Sequence, residues 1–330
     1  MMALAAAGTA PVQAWEDFAL VENLATTIAS PRVRLDASRS AIACNLCGSS
    51  QSEPFCPANG LGLVRCAGCG LVYVGLRPDP DELYTLYDET YFRNDESGVV
   101  GYSDYIKDEP NIRRTARQRL AFLERFVAPG RLLDVGCAVG FFLDEARRRG
   151  WQAAGLDVSP FAVDYARSHF GLDVQRGSFT SLDYAVDSFD AVTLWDVIEH
   201  VPDPKAYLRQ AARVLRPGGV LALATPDIHS LPARLAGRRW VGYKLSEEHI
   251  YYFSARTLAH MLADVGLEIA HVRHVGKYVT VRLFLDRLAM YMPLLAAGLG
   301  LAERAFQLSE RALYVNPFDI VAITARKPSR

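Results

Sequence analysis

The chain has 330 residues, 50% of them apolar, and a formal net charge of −1. That length admits one large or two modest domains with a substantial core. The near-zero charge excludes a global field that would gather nucleic acid or anionic lipid, and no run of about 20 apolar residues could make a membrane-spanning helix.

The first stretch, Met1 to Ala14, is alanine-rich and lacks the basic start and long apolar core of a secretory signal. Residues 1–39 therefore read as a loose tail, and the chain reads as cytoplasmic. Four of the six cysteines follow as Cys44-x-x-Cys47 and Cys66-x-x-Cys69, with eighteen residues between the pairs. In a reducing compartment that spacing predicts a tetrahedral structural Zn2+ site rather than disulfides. Gly48 and Gly70 follow the pairs and let the backbone turn its amides toward the thiolates. Residues 40–76 are thus expected to form a small zinc ribbon, too short to build its own core and dependent on the metal. Residues 77–111 read as a connector rich in tyrosine, with Tyr84, Tyr87 and Tyr91. A helix is predicted over about 112–127, with Leu120, Phe122, Leu123 and Phe126 on one side.

From there strands and helices alternate, as in an α/β fold with a parallel sheet. Strands are predicted near 131–136, 152–157, 173–177, 189–195, 219–225 and 267–275, with a last one over Asp319–Ala325. Helices are predicted near 140–149, 160–169, 204–214 and 255–265. The segment 279–314 reads as an apolar helical insert interrupted at Pro293.

The first strand leads into Asp134-Val135-Gly136-Cys137-Ala138-Val139-Gly140, and the second ends at Asp157. A strand, a glycine turn, a helix and an acid closing the next strand make a nucleotide-type site. A pyrophosphate-binding loop would be Gly-x-Gly-x-x-Gly. Here an acid stands two residues before the first glycine, where it repels a diphosphate and suits the ammonium of an amino acid. A cofactor with an amino-acid end and a ribose end matches S-adenosylmethionine. Gly177-Ser178-Phe179, the run from Ser188 through Trp195-Asp196 to Pro204, and Arg213 to Pro226 follow in order. Together these motifs resemble the class I S-adenosylmethionine-dependent methyltransferases over residues 112–278 and the final strand.

The resemblance implies a Rossmann-like seven-stranded core over residues 112–330, behind the zinc ribbon and carrying the 279–314 insert before the last strand. It implies that Asp134 and Gly136 shape the pocket for the methionine end and that Gly140 lets the backbone approach the cofactor. Cys137 lines the site, Asp157 with Val158 accepts the ribose hydroxyls, and Phe179 stacks on adenine beside Ser178. Trp195 and Asp196 line the cofactor and acceptor pocket.

Glu248-His249-Ile250-Tyr251-Tyr252-Phe253-Ser254 resembles a segment of zinc-ribbon sugar methyltransferases acting on nucleotide-linked deoxysugars. That implies His249 as proton acceptor, oriented or made more basic by Glu248. Asp196-x-x-Glu199-His200 has two readings: residues packing the turn after the strand, or oxygen and imidazole ligands for a cation with His249 as the later histidine. The spelling resembles metal-assisted methyltransferases, but the packing role is the expectation because metal-free class I enzymes share it. Arg113, Arg114, Arg117 and Arg119 form a basic run that either meets a substrate diphosphate or makes a solvated helix face, the latter being expected.

The expected acceptor is a nucleotide- or lipid-linked sugar, methylated at carbon or oxygen. One alternative is a small hydrophobic or lipid acceptor methylated at oxygen. Another is RNA, which the ribbon speaks against because residues 44–70 hold Arg65 as their single basic residue. The insert is expected to pack in the core or form a homodimer, with peripheral membrane contact as the lesser reading.

Overall fold

A computed structural model describes residues 42–58, 61–76, 80–93, 105–244 and 248–329. The expected tail, 1–39, lies outside the described residues. The segment 42–76 carries three antiparallel strands, β1 (Ser52–Ala58), β2 (Leu61–Cys66) and β3 (Val72–Val74). Two short helices in the connector, α1 (Pro80–Thr85) and α2 (Glu89–Phe92), lead toward α3 (Glu109–Leu123). Helix α3 begins three residues before its expected start, because Pro110 fits the first turn, where no backbone N–H is needed.

The α/β core follows as β4 (Arg131–Val135), α4 (Phe141–Arg148), β5 (Gln152–Asp157), α5 (Pro160–Phe170), β6 (Asp173–Arg176), β7 (Phe189–Trp195), α6 (Pro204–Val214) and β8 (Leu215–Pro226). Local chemistry sets the helix starts. Ser159 caps α5 by accepting from the Ala162 amide, and Asp203 does the same for α6 at Ala206, each with proline next in sequence. Beyond β8 come α7 (Leu231–Ala236), α8 (Val241–Lys244), β9 (Tyr251–Tyr252), α9 (Ala255–Asp264) and β10 (Glu268–His274). The chain ends through β11 (Lys277–Thr280), α10 (Val281–Ala289), α11 (Pro293–Phe306), β12 (Ala312–Val315) and β13 (Ile320–Arg326).

The central sheet has seven strands in the order β10-β13-β8-β7-β4-β5-β6. Strands β6, β5, β4, β7 and β8 are parallel, and β13 and β10 complete the sheet antiparallel. The order reverses between β4 and β7, which opens a crevice at their carboxyl ends. This is the class I Rossmann-like architecture, and the seven expected strands all lie in it.

Two features differ from the expectation. The small sheet takes its fourth strand from the far part of the chain: β9 pairs with β3, Tyr73 opposite Tyr251 and Val72 opposite Tyr252. Cys44, Leu46, Leu71 and Tyr73 then share one core with Trp240, Tyr251, Phe253 and Leu258. The insert is not helical throughout and is not packed in the core. Its ends pair as β11 and β12, a hairpin base that carries α10 and α11 outward. Pro293 opens α11, as a residue without an N–H can. Leu294, Leu301 and Phe306 of α11 are 89%, 69% and 73% exposed, so this apolar side is uncovered among the described residues.

Candidate active site

Asp134, next to last in β4, is buried at the crevice and accepts a hydrogen bond from the Thr193 hydroxyl of β7 at 2.5 Å. Burial pushes its carboxyl up to about 7, against the pull of Thr193 and Arg119 and with a push from Asp157. Gly136 turns the chain at φ +70°, and a Cβ there would stand 2.6 Å from Cγ2 of Val197. Glycine is therefore required both by conformation and by space. Asp157 ends β5 and grips the loop: one oxygen accepts from the Ala138 amide at 2.8 Å, the other from the Ser159 amide at 2.9 Å. Burial raises its carboxyl and these amides oppose the rise. Asp134, Gly136, Cys137, Asp157, Val158, Trp195, Asp196, Glu248 and His249 all line one cavity of about 970 Å³.

Three expected cofactor residues do not line it. Phe179 is fully buried with its ring against Tyr184 and Tyr207, because it points into the core and not out of the strand end. Ser178 turns its hydroxyl to Thr180 at 3.3 Å. Gly140 faces α5: a Cβ would stand 2.6 Å from Leu172 and 3.0 Å from Ala166, so its smallness admits helix packing rather than a ligand.

Beyond β7 the chain passes through Asp196 at φ +58°, a left-handed conformation rare outside glycine. Two cations hold it there, Arg119 and Lys277, each 3.0 Å from Oδ2. Burial would raise this carboxyl, but Lys277 and Arg119 outweigh it and keep it well below the usual carboxylate range. Arg119 also lies over the Trp195 ring at 4.7 Å, and the buried indole N–H of Trp195 has no hydrogen-bond partner among the described residues. The basic run is thereby accounted for. Arg113 bonds Asp144 and Glu145 at 2.8 and 3.1 Å, Arg117 bonds Glu145 at 3.2 Å, and Arg114 covers Tyr278. Neither a diphosphate clamp nor the expected solvated face describes Arg113 and Arg119.

The lid over this crevice is the segment entering β9. It puts His249, buried, edge-on to His200 with ring centres 4.6 Å apart. Burial lowers the basicity of both: His200 falls to about 4, and His249 falls well below the ordinary range with His200 adding to the effect. Glu199 lies beneath them at 1% exposure, its carboxyl pushed up to about 8 by burial and by Asp196. Glu248 accepts a hydrogen bond from the Tyr91 hydroxyl at 3.3 Å. The tyrosine-rich connector is thus folded over the site: Tyr84, Tyr87 and Tyr91 all face the cavity. Lys277 and Thr193 join the site without any motif of their own, and Arg119, a candidate for a diphosphate in the sequence, serves Asp196 instead. Lys277 gives no local signal, because it reaches the site only through the fold-back of the insert.

The far end of the cavity is apolar, lined by Trp240 and by Val279, Leu283, Phe284 and Met292 of the insert. At the other end of the chain the sulfurs of Cys44, Cys47, Cys66 and Cys69 lie within 4.8 Å of one another, with Cys44–Cys69 at 3.5 Å and Cys47–Cys66 at 3.4 Å. A tetrahedral zinc with bonds near ~2.3 Å sets sulfurs about 3.8 Å apart, so these four fit it. Gly48 and Gly70, at φ +75° and +80°, close the two knuckles and return their amides to the carbonyls of Cys44 and Cys66.

The family model described as "Methyltransferase domain" matches residues 107–272, half of the chain. The chain belongs to the methyltransferase family. A ubiquinone biosynthesis O-methyltransferase of Xanthomonas axonopodis pv. citri is 34% identical over 169 residues, 47% of this chain and 70% of that protein. One of Xanthomonas oryzae pv. oryzae is 40% identical over 121 residues, 33% of this chain and 48% of that protein, so the chain spans about half the length of that relative. Among solved structures, a SAM dependent methyltransferase from Archaeoglobus fulgidus aligns over 68% of this chain and 99% of its own, with 17% identity and a TM-score of 0.46. The methyltransferase match ends at 272, before β11, so the insert that walls the apolar end lies beyond it.

Proposed function

We propose that the protein transfers a methyl group from S-adenosylmethionine to a hydroxyl of a small molecule with a large apolar body. The observation that carries this reading is the single cavity of about 970 Å³ that joins the Asp134–Asp157 loop to the apolar wall of the insert. It is at the upper end of small-molecule pockets. The α3 arginines that could have met a sugar diphosphate are committed elsewhere, Arg113 to Asp144 and Glu145 and Arg119 to Asp196, which favours this acceptor, and the printed name of the Xanthomonas relatives is compatible with it.

In this reading Asp134 meets the cofactor's ammonium and Asp157 its ribose hydroxyls, both lining the cavity, and the Trp195 N–H, unpartnered among the described residues, is a further donor. Bound there, the cofactor supplies an electrophilic methyl on a sulfonium, and the sulfur keeps the electron pair when the acceptor oxygen takes that methyl. The chain's own task is alignment and removal of the hydroxyl proton. The corner formed by Glu199, His200, His249 and Glu248 holds the polar groups suited to it. The four cysteines would carry a structural zinc that keeps β3 against β9 and so supports the lid.

The test is transfer of a labelled methyl to a panel of apolar phenols and alcohols beside nucleotide sugars. Labelling of the apolar hydroxyls is expected. Val279→Trp, which fills the apolar end, should cut kcat/KM at least tenfold for long acceptors and spare short ones. Labelling confined to nucleotide sugars would overturn the reading.

A further inference from the structure

Two helices beyond the parallel sheet carry apolar side chains that no described residue covers. Leu294 and Leu301 stand seven residues apart on α11, hence on one face of it, and Leu231 and Leu235 of α7 are 67% and 79% exposed. The two regions are joined. The Tyr291 hydroxyl after α10 accepts from the Val241 amide at 2.7 Å, and Leu235, Arg238 and Arg239 share a groove with Met290 and Tyr291. Leu235, Tyr291 and Met292 are exposed and yet line the main cavity, so they form the rim of its apolar mouth.

The geometry points to this face, α7 with α10 and α11, as a docking surface for an anionic lipid bilayer, with the mouth of the cavity opening onto the membrane. The net charge of −1 supplies no general attraction to anionic lipid, so the attraction must be local. Between Asp227 and Glu247 the sequence holds Arg234, Arg238, Arg239 and Lys244 and no acid, and the three arginines are exposed on the same stretch as Leu231 and Leu235. Between Asp286 and Glu303 stands Arg287 and again no acid. Large apolar side chains fringed by arginine suit the boundary between phosphate headgroups and acyl chains.

A second copy of the chain suits the face less well. A two-fold dimer sets the same patch against itself, and the arginines of one protomer would meet those of its partner. Crossing the bilayer is not the mode. Helix α11 has 14 residues, about 21 Å at ~1.5 Å per residue, short of the ~30 Å hydrocarbon core, so it lies along the surface. An apolar acceptor dissolved in the bilayer would then reach the cavity past Leu235 and Met292 without crossing water. That entry rests on the apolar acceptor proposed above; the docking rests on exposure and charge alone.

The experiment is flotation of the full-length protein with vesicles of equimolar phosphatidylcholine and phosphatidylglycerol, beside vesicles of phosphatidylcholine alone. Binding to the anionic vesicles is expected, weakened by salt and at least tenfold weaker on phosphatidylcholine alone. Leu294→Asp with Leu301→Asp should weaken it at least 30-fold, and Arg234→Glu with Arg239→Glu at least tenfold. All four side chains are exposed, so both pairs should keep the wild-type Tm; should one pair fail to fold, the other decides. No binding to anionic vesicles overturns the face, and so does binding that both pairs of substitutions leave intact. A dimer in sedimentation that Leu294→Asp with Leu301→Asp dissociates, without vesicle binding, gives the face to a second copy instead. The acceptor reading fails separately: vesicle binding with labelling confined to nucleotide sugars keeps the face and removes only the apolar acceptor.

Discussion

Stripping the proposed zinc from the four cysteines should loosen the lid about 20 residues in sequence beyond β8, while leaving the cofactor loop in place. The coupling can be worked from the contacts. The Val74 amide bonds the Ile250 carbonyl at 2.9 Å, one residue from His249. Asn45 bonds Asp203 at 2.9 Å and accepts from the Lys205 amide at 2.9 Å, and the Lys205 ammonium reaches the Leu46 carbonyl at 2.8 Å. The Tyr73 and Tyr251 rings lie 6.2 Å apart across the same strands. Of these contacts, the Val74–Ile250 bond and the Tyr73–Tyr251 ring pair reach the lid itself; at about 1 and about 0.5–1 kcal/mol they give roughly 1.5–2 kcal/mol. That is about 10- to 30-fold in the opening equilibrium of the lid if both are lost, the Asn45 and Lys205 bonds holding the ribbon to the start of α6. The assay is hydrogen exchange read by mass spectrometry before and after chelation. Peptides covering 249–254 should lose about 10- to 30-fold protection, and those covering 131–136, inside the parallel sheet, should change less than about threefold. Retained protection of 249–254 in protein shown to be zinc-free would refute the coupling.

Gly136→Ala adds a left-handed strain of about 1–2 kcal/mol to a Cβ clash at 2.6 Å with Val197. A lower Tm and at least tenfold weaker S-adenosylhomocysteine binding by calorimetry are expected, and wild-type values in both would exclude the tight turn. Asp134, raised to about 7, is largely protonated at pH 6 in the free protein. A cofactor ammonium favours the ionised form, so affinity for S-adenosylhomocysteine should rise about tenfold from pH 6 to pH 8 and level off above. Asp134→Asn should flatten that slope, and a slope that survives the substitution assigns it to another group. Lys277→Met leaves Asp196 with Arg119 alone; burial then counts for more, and at least a tenfold loss of turnover on the apolar acceptors is expected, with unchanged turnover showing that Asp196 needs only one cation.

Much of this protein was decided locally. The Asp134–Gly140 loop, the acid at Asp157, the caps at Ser159 and Asp203 and the paired cysteines each depend on neighbours a few residues away, so their chemistry is legible in the chain itself. The strands of the parallel sheet are equally legible, since burial on both faces demands mainly apolar segments, as at Leu132, Leu133 and Val135 and at Ala191, Val192 and Leu194, broken by the polar residues that serve the site and its support. Aim is another matter. Phe179 and Gly140 carry residue types suited to a cofactor, yet they face the core and α5, because a side chain's direction depends on what packs behind it. Lys277 meets Asp196, β9 joins β3, and Glu199 meets His249 only after segments distant in sequence fold together. Those juxtapositions depend on tertiary structure, because a buried charge finds its partner through the whole sheet and not through its own stretch of chain.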